Sequence, residues 1–91
     1  MNLQEITKAM GELDNWGLTS NSITKEFKFE NFSGSLNFVN KVGEISNSLD
    51  HHPDITIRYD IVVLSLTTHS SDGLTEKDFE VAKEIDSLTN S

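Results

Sequence analysis

Pro53 is the only proline in the chain, and it separates two patterns that cannot belong to one secondary-structure element. Before it, Leu36, Val39, Val42, Ile45 and Leu49 recur at the three- and four-residue spacings of a helix with one apolar stripe. After it, Ile55, Ile57 and Tyr59 alternate with polar neighbours, and residues 61–68 are rich in β-branched side chains, as strands are. Proline cannot continue a helix, and it biases the residue before it towards extended backbone. His51-His52-Pro53 therefore predicts a helix end that leads directly into a strand. A tight turn near Tyr59 and Asp60 makes the two extended runs a hairpin.

The flanking segments repeat this alternation of periods. Leu3, Ile6, Met10 and Leu13 form a helical stripe with Asn2 as N-cap, ended by Trp16-Gly17. Residues 22–29 read as a strand in which Ile23, Lys25, Phe27 and Phe29 form one mainly apolar face, and residues 17–21 as a short strand or a turn. Asn31-Phe32-Ser33 supplies capping side chains for the second helix. That helix carries Gly34, Ser35, Gly43, Ser46 and Ser48, which lower its propensity but permit close approach, either of another copy or of the chain's own sheet. Residues 70–73 form a loop, and Thr75-Glu76-Lys77-Asp78 resembles a capping box opening a last helix that buries Val81, Ala82, Ile85 and Leu88. A frayed tail is expected at residues 89–91. The order α-β-β-α-β-β-α predicts an α+β fold, an antiparallel sheet with its helices on one face, in a single domain over residues 1–91.

Fifteen acidic residues against seven basic give a formal charge of −8, which disfavours direct binding to nucleic acid or to an anionic membrane. No cysteine is present, so disulfides, thiolate metal sites and thiol nucleophiles are excluded; a reducing, cytoplasmic setting suits such a chain. The first residues lack a basic segment followed by an apolar one, and no apolar run approaches the roughly 18 residues of a membrane span, so a soluble, unexported protein is expected. At 91 residues the core is modest, and further burial would have to come from oligomerisation.

All three histidines flank the hairpin: His51 and His52 before it, His69 after it. Two strands joined by a tight turn return the chain to its starting level, so the third histidine can lie beside the first two. Such a group titrates near neutral pH and can donate one proton while accepting another. Two other readings stand at this point. The pair can simply terminate a helix, with His69 at a strand end, or the three can bind a metal, although they lack the helical spacing of the stronger zinc motifs. Asp78 can cap the last helix or orient an imidazole such as His69.

The HHPD of residues 51–54, the hairpin containing Tyr59, the Thr68-His69 pair, the GLTEKD of residues 73–78 and the apolar helix ending in Ile85-Asp86 together resemble the pterin-4a-carbinolamine dehydratase family. Trp16 and the FKFENF of residues 27–32 add weaker support, and the likeness covers nearly the whole chain. The resemblance implies a four-stranded antiparallel sheet with three helices on one side, and dehydration of 4a-hydroxytetrahydropterin to quinonoid dihydropterin without a metal or organic cofactor. It implies that His51, His52, His69 and Asp78 are the catalytic set, and that His51, His52, Pro53 and Thr68 contact substrate. In that scheme His51 and His69 serve as acid and base while His52 binds and polarises the pterin ring. The resemblance also implies a homodimer or homotetramer, and an alternative role as a protein-binding module, either a dimerisation cofactor of a transcription factor or an assembly chaperone. The chain departs from the family one helical turn before His51, where Asn47 stands in place of a frequent glutamate. An amide cannot act as a base.

Overall fold

A computed structural model describes residues 1–89 of the chain. It contains α1 (Leu3–Gly11), β1 (Gly17–Leu18), β2 (Ile23–Lys28), α2 (Phe32–Leu49), β3 (Asp54–Arg58), β4 (Ile61–Leu66) and α3 (Glu76–Thr89), with a 3-10 turn at His69–Ser71. The strands form one antiparallel sheet in the order β1-β2-β4-β3, and the three helices lie on one side of it, as the periodicities predict. Thr89, expected in the frayed tail, is the last residue of α3, and the rest of that tail lies outside the described residues.

Registration across the sheet decides which side chains face the helices. Ile23, Lys25 and Phe27 of β2 stand opposite Leu66, Leu64 and Val62 of β4, and Leu64 and Val62 in turn pair with Ile55 and Ile57 of β3. Leu64, Leu66, Val62 and Ile23 are fully buried under Val42 and Phe38 of α2 and Phe79, Ala82 and Ile85 of α3. Each such side chain contributes about 1.5–3 kcal/mol by leaving water. Phe27 and Phe29, on the same face of the extended chain, bracket Phe38 with ring centroids 4.6 and 4.9 Å away. The other sheet face carries Glu26, Lys28, Arg58 and Thr56, all exposed.

The helices differ in detail from the sequence expectation. Asn2 caps α1 in a reciprocal capping box with Glu5, but the helix ends at Gly11 rather than at Trp16. Asn15 then takes a left-handed conformation (φ 63°), reversing the chain so that Trp16 turns into the core. The stripe of α1 is only half-buried, and Leu3 is 75% exposed. Glu12 at its end accepts a hydrogen bond from Lys83 Nζ at 2.8 Å. That bond and the ammonium charge hold the Glu12 carboxyl below its ordinary range. Its share of stability is present above the unfolded-chain value and fades as pH falls through the lowered one, and exposure to solvent screens it.

In α2 the buried face is Ser35, Phe38, Val42 and Ser46, while Leu36, expected inside, is exposed. Both serines are satisfied within the chain: Ser35 Oγ donates to the Tyr59 carbonyl (2.6 Å) and Ser46 Oγ to that of Val42 (2.7 Å). A Cβ on Gly34 would lie 3.1 Å from Phe29 Cβ, so the close approach that this glycine permits is to the chain's own strand end. The small residues on this face are thus taken up by intramolecular packing.

Candidate active site

The site is built where α2 ends, β4 ends and α3 begins. Asp50 adopts the left-handed conformation (φ 52°, ψ 42°) just after α2. Its N–H donates to the Asn47 carbonyl, and the His51 N–H donates to that of Ser46 at 3.0 Å. This is the Schellman arrangement, which satisfies the last carbonyls of a helix while turning the chain sharply out of it. It swings His51 and His52 off the helix, and Pro53 then forces extended backbone into β3. Glycine adopts this conformation without a Cβ penalty. Asp50→Gly is therefore expected to hold or raise stability, and Asp50→Ala to fall about 1 kcal/mol below it in urea melts.

The hairpin register does the rest. Continued past the Asp54–Ser65 pair by three residues, it brings His51 level with Thr68. Formal pairing stops sooner, because Pro53 has no N–H to offer and the His51 N–H is taken by the helix cap. Thr68 pairs instead with Gly73, each N–H donating to the other's carbonyl (3.0 and 3.3 Å), which closes a loop over residues 69–72. His69, expected at the strand end, therefore opens a 3-10 turn beyond it.

Asp78, in the first turn of α3 and completely buried, ties the three element ends together. Its Oδ1 lies 2.5 Å from His51 Nε2; its Oδ2 accepts from Thr68 Oγ1 (2.8 Å) and from the Thr75 backbone N–H (3.0 Å). Thr75 Oγ1 is itself 2.9 Å from Thr68 Oγ1. The capping and orienting readings of Asp78 therefore both hold at once: one oxygen caps α3 and the other holds an imidazole. The imidazole is that of His51, however, and not of His69, because the register sets His51 beside Thr68. An ionised carboxylate can only accept, so in contact with one His51 bears its hydrogen at Nε2 and turns Nδ1 away from Asp78.

The remaining residues sit around this network. The His51 side chain is 12% exposed, and His52 is exposed with Nε2 2.9 Å from Asn47 Oδ1. Pro53 and Thr68 are half-buried. His69 is exposed and makes no side-chain hydrogen bond among the described residues. Among the described residues no group of three or more histidine, aspartate or glutamate side chains is arranged to hold a metal ion. Thr75, legible in the sequence only as a helix cap, is an added member of the network. A cavity of about 440 Å³ between α1 and α3, lined by Ala9, Phe79 and charged residues of both signs, contains none of the histidines.

A buried carboxylate holding a histidine at the end of a four-stranded antiparallel sheet can be compared with known proteins. Residues 1–88 match the family model described as pterin 4 alpha carbinolamine dehydratase. The chain belongs to that family. A Sulfolobus acidocaldarius protein, named provisionally as a pterin-4-alpha-carbinolamine dehydratase, is 48% identical over 92% of this chain and 92% of its own. A Picosynechococcus protein with the same provisional name is 44% identical over 92% and 91%. The crystal structure of a transcriptional coactivator/pterin dehydratase from Brucella melitensis superposes with a TM-score of 0.92, at 32% identity over 97% of this chain and 96% of that one. A pterin dehydratase-like protein identified as a RuBisCO assembly factor of the alpha-carboxysome shares the fold alone, with a TM-score of 0.68 at 19% identity over 84% and 88%. Within this family frame the His51–Asp78–Thr68 network falls at the junction that the sequence singles out.

Proposed function

We propose that the chain is a hydro-lyase that removes water from a 4a-hydroxytetrahydropterin to give the quinonoid dihydropterin. The observation that carries this reading is the His51–Asp78 pair: a mostly buried imidazole, fixed from behind by a fully buried carboxylate. In the reaction the C4a–O bond breaks and the leaving hydroxyl takes a proton from a general acid to become water. The N5–H proton passes to a base as the C4a–N5 double bond forms. One acid and one base suffice, and each step needs a group that changes protonation near neutral pH. His51 and His69 fill these roles; Asp78 orients His51 and stabilises the imidazolium whenever Nδ1 holds a proton, as carboxylates do behind catalytic histidines. His52 binds and polarises the ring, with Pro53 and Thr68 at the substrate's flank. No metal or organic cofactor enters the scheme.

The test is direct. Freshly generated 4a-hydroxytetrahydropterin supplied to the protein should lose water faster than it does spontaneously, followed optically, and a rate equal to the spontaneous one sinks the proposal. His52→Ala is expected to lower the rate at least about tenfold, as removal of a positioned binding or proton-transfer group does; an unchanged rate rejects its role.

The binding-module alternative would use the small-residue surface of α2, of which Gly34, Ser35 and Ser46 are engaged within the chain while Gly43 faces open space and Ser48 is exposed. Its discriminating result would be recovery of a stoichiometric protein partner together with an inert pterin assay. A single-domain cytoplasmic homodimer or homotetramer, as the family resemblance implies, completes the reading. Light scattering at the monomer mass would remove the oligomer from it.

A further inference from the structure

The adjacent imidazoles of His51 and His52 are held through the same ring nitrogen by chemically different partners. Nε2 of His51 meets a buried carboxylate, and Nε2 of His52 meets the side-chain oxygen of Asn47 at 2.9 Å. The second contact is a product of the helix end. Asp50 in the left-handed conformation folds the chain back over the last turn of α2, which sets His52 beside a side chain of that same turn. His52 makes no other side-chain hydrogen bond among the described residues, so Asn47 is what fixes this exposed ring.

We infer that Asn47 is a positioning residue that holds His52 as its Nε2–H tautomer, leaving Nδ1 as an uncharged acceptor for an N–H or O–H of the ligand. Two properties follow from an amide in this place. Its oxygen accepts the Nε2 hydrogen as a carboxylate would, so the ring orientation and the tautomer are set. It adds no charge, so an imidazolium at His52 receives none of the stabilisation that Asp78 gives one at His51. The pair is thereby split into one histidine backed by a carboxylate and one backed by an uncharged amide. Its preferred ligand edge is one with a hydrogen-bond donor facing His52, and the substrate consequence rests on the dehydratase reading above.

The experiment uses the full chain labelled with 15N-histidine, with His52 resonances assigned by comparison with His52→Gln, at about pH 8, above the ordinary imidazole range. Long-range 15N–1H correlations are expected to show His52 hydrogen-bearing at Nε2. Asn47→Ala should lose that preference, and Asn47→Asp, which keeps an acceptor, should retain it. Asn47 is exposed, so the variants are expected to fold, as circular dichroism will record. In the pterin assay Asn47→Ala should lose about tenfold or more in kcat/KM, the usual effect of removing the partner that orients a working histidine. A wild-type His52 protonated at Nδ1, or a tautomer indifferent to Asn47→Ala, overturns the inference whatever the assay gives. The expected tautomers in a protein inert towards pterin would instead leave the positioning role standing and remove the dehydratase reading.

Discussion

Asp78→Ala is expected to unfold the chain about 2–4 kcal/mol more easily than the wild type. The side chain is fully buried and accepts from three donors, His51 Nε2, Thr68 Oγ1 and the Thr75 N–H, so its removal strips two element ends of their partner and α3 of its cap. Asp78→Asn separates this structural cost from the chemistry. An amide of the same shape has one accepting oxygen for three donors. If that oxygen faces Thr68 and Thr75, its NH2 faces His51 and forces the imidazole to put its lone pair at Nε2. The ring's proton then sits at Nδ1, the wrong atom for a base, and the rate of pterin dehydration should fall about 100-fold or more while the fold persists. Urea melts and the dehydration assay on both variants check this. A folded Asp78→Asn protein turning over at the wild-type rate would falsify the orienting role.

The second large effect lies away from the histidines. Asp86, 6% exposed, accepts from Trp16 Nε1 with both oxygens (3.0 and 3.1 Å) and from Lys25 Nζ at 2.9 Å, and Lys25 also donates to the Asp14 carbonyl at 2.7 Å. The network ties the loop after α1 to β2 and α3. Asp86→Ala leaves the indole N–H without its acceptor and the Lys25 ammonium without its counter-charge, held only by the Asp14 carbonyl, and a loss of about 3–5 kcal/mol is expected, as for other broken buried pairs. Lys25→Met combined with Asp86→Asn removes the charges together and keeps an acceptor for Trp16, so that variant should recover most of the loss. A cost for Asp86→Ala below about 1 kcal/mol would show that water replaces the carboxylate at this site.

These two carboxylates mark the boundary of what could be read along the chain. Asp78 was visible as part of a capping box, a local pattern in which a side chain returns to a backbone N–H three residues away, and that bond is present. The partner on its other oxygen was not visible, because whether Asp78 meets His51 or His69 depends on the hairpin register, and that register is fixed by the Tyr59-Asp60 turn and by Pro53. Asp86 appeared only as the residue after Ile85. Lys25 broke the apolar alternation of β2 for no local reason, and Asp86 supplies the reason by meeting it on the inner face of the sheet. Likewise Ser35 and Ser46 read as weak helix formers, whereas their burial depends on how α2 rolls on the sheet.

Sequence by itself determined the order of elements, the antiparallel sheet with helices on one face and the family. Helical and strand periods, caps and a lone proline are local signals, each read within a few residues of backbone. It also named the histidines that bracket the hairpin. Only the tertiary structure decided which of them is held by the buried carboxylate, since that depends on strand register and on the left-handed turn at Asp50. A hydrogen bond between residues far apart in sequence is set by geometry accumulated over every element between them.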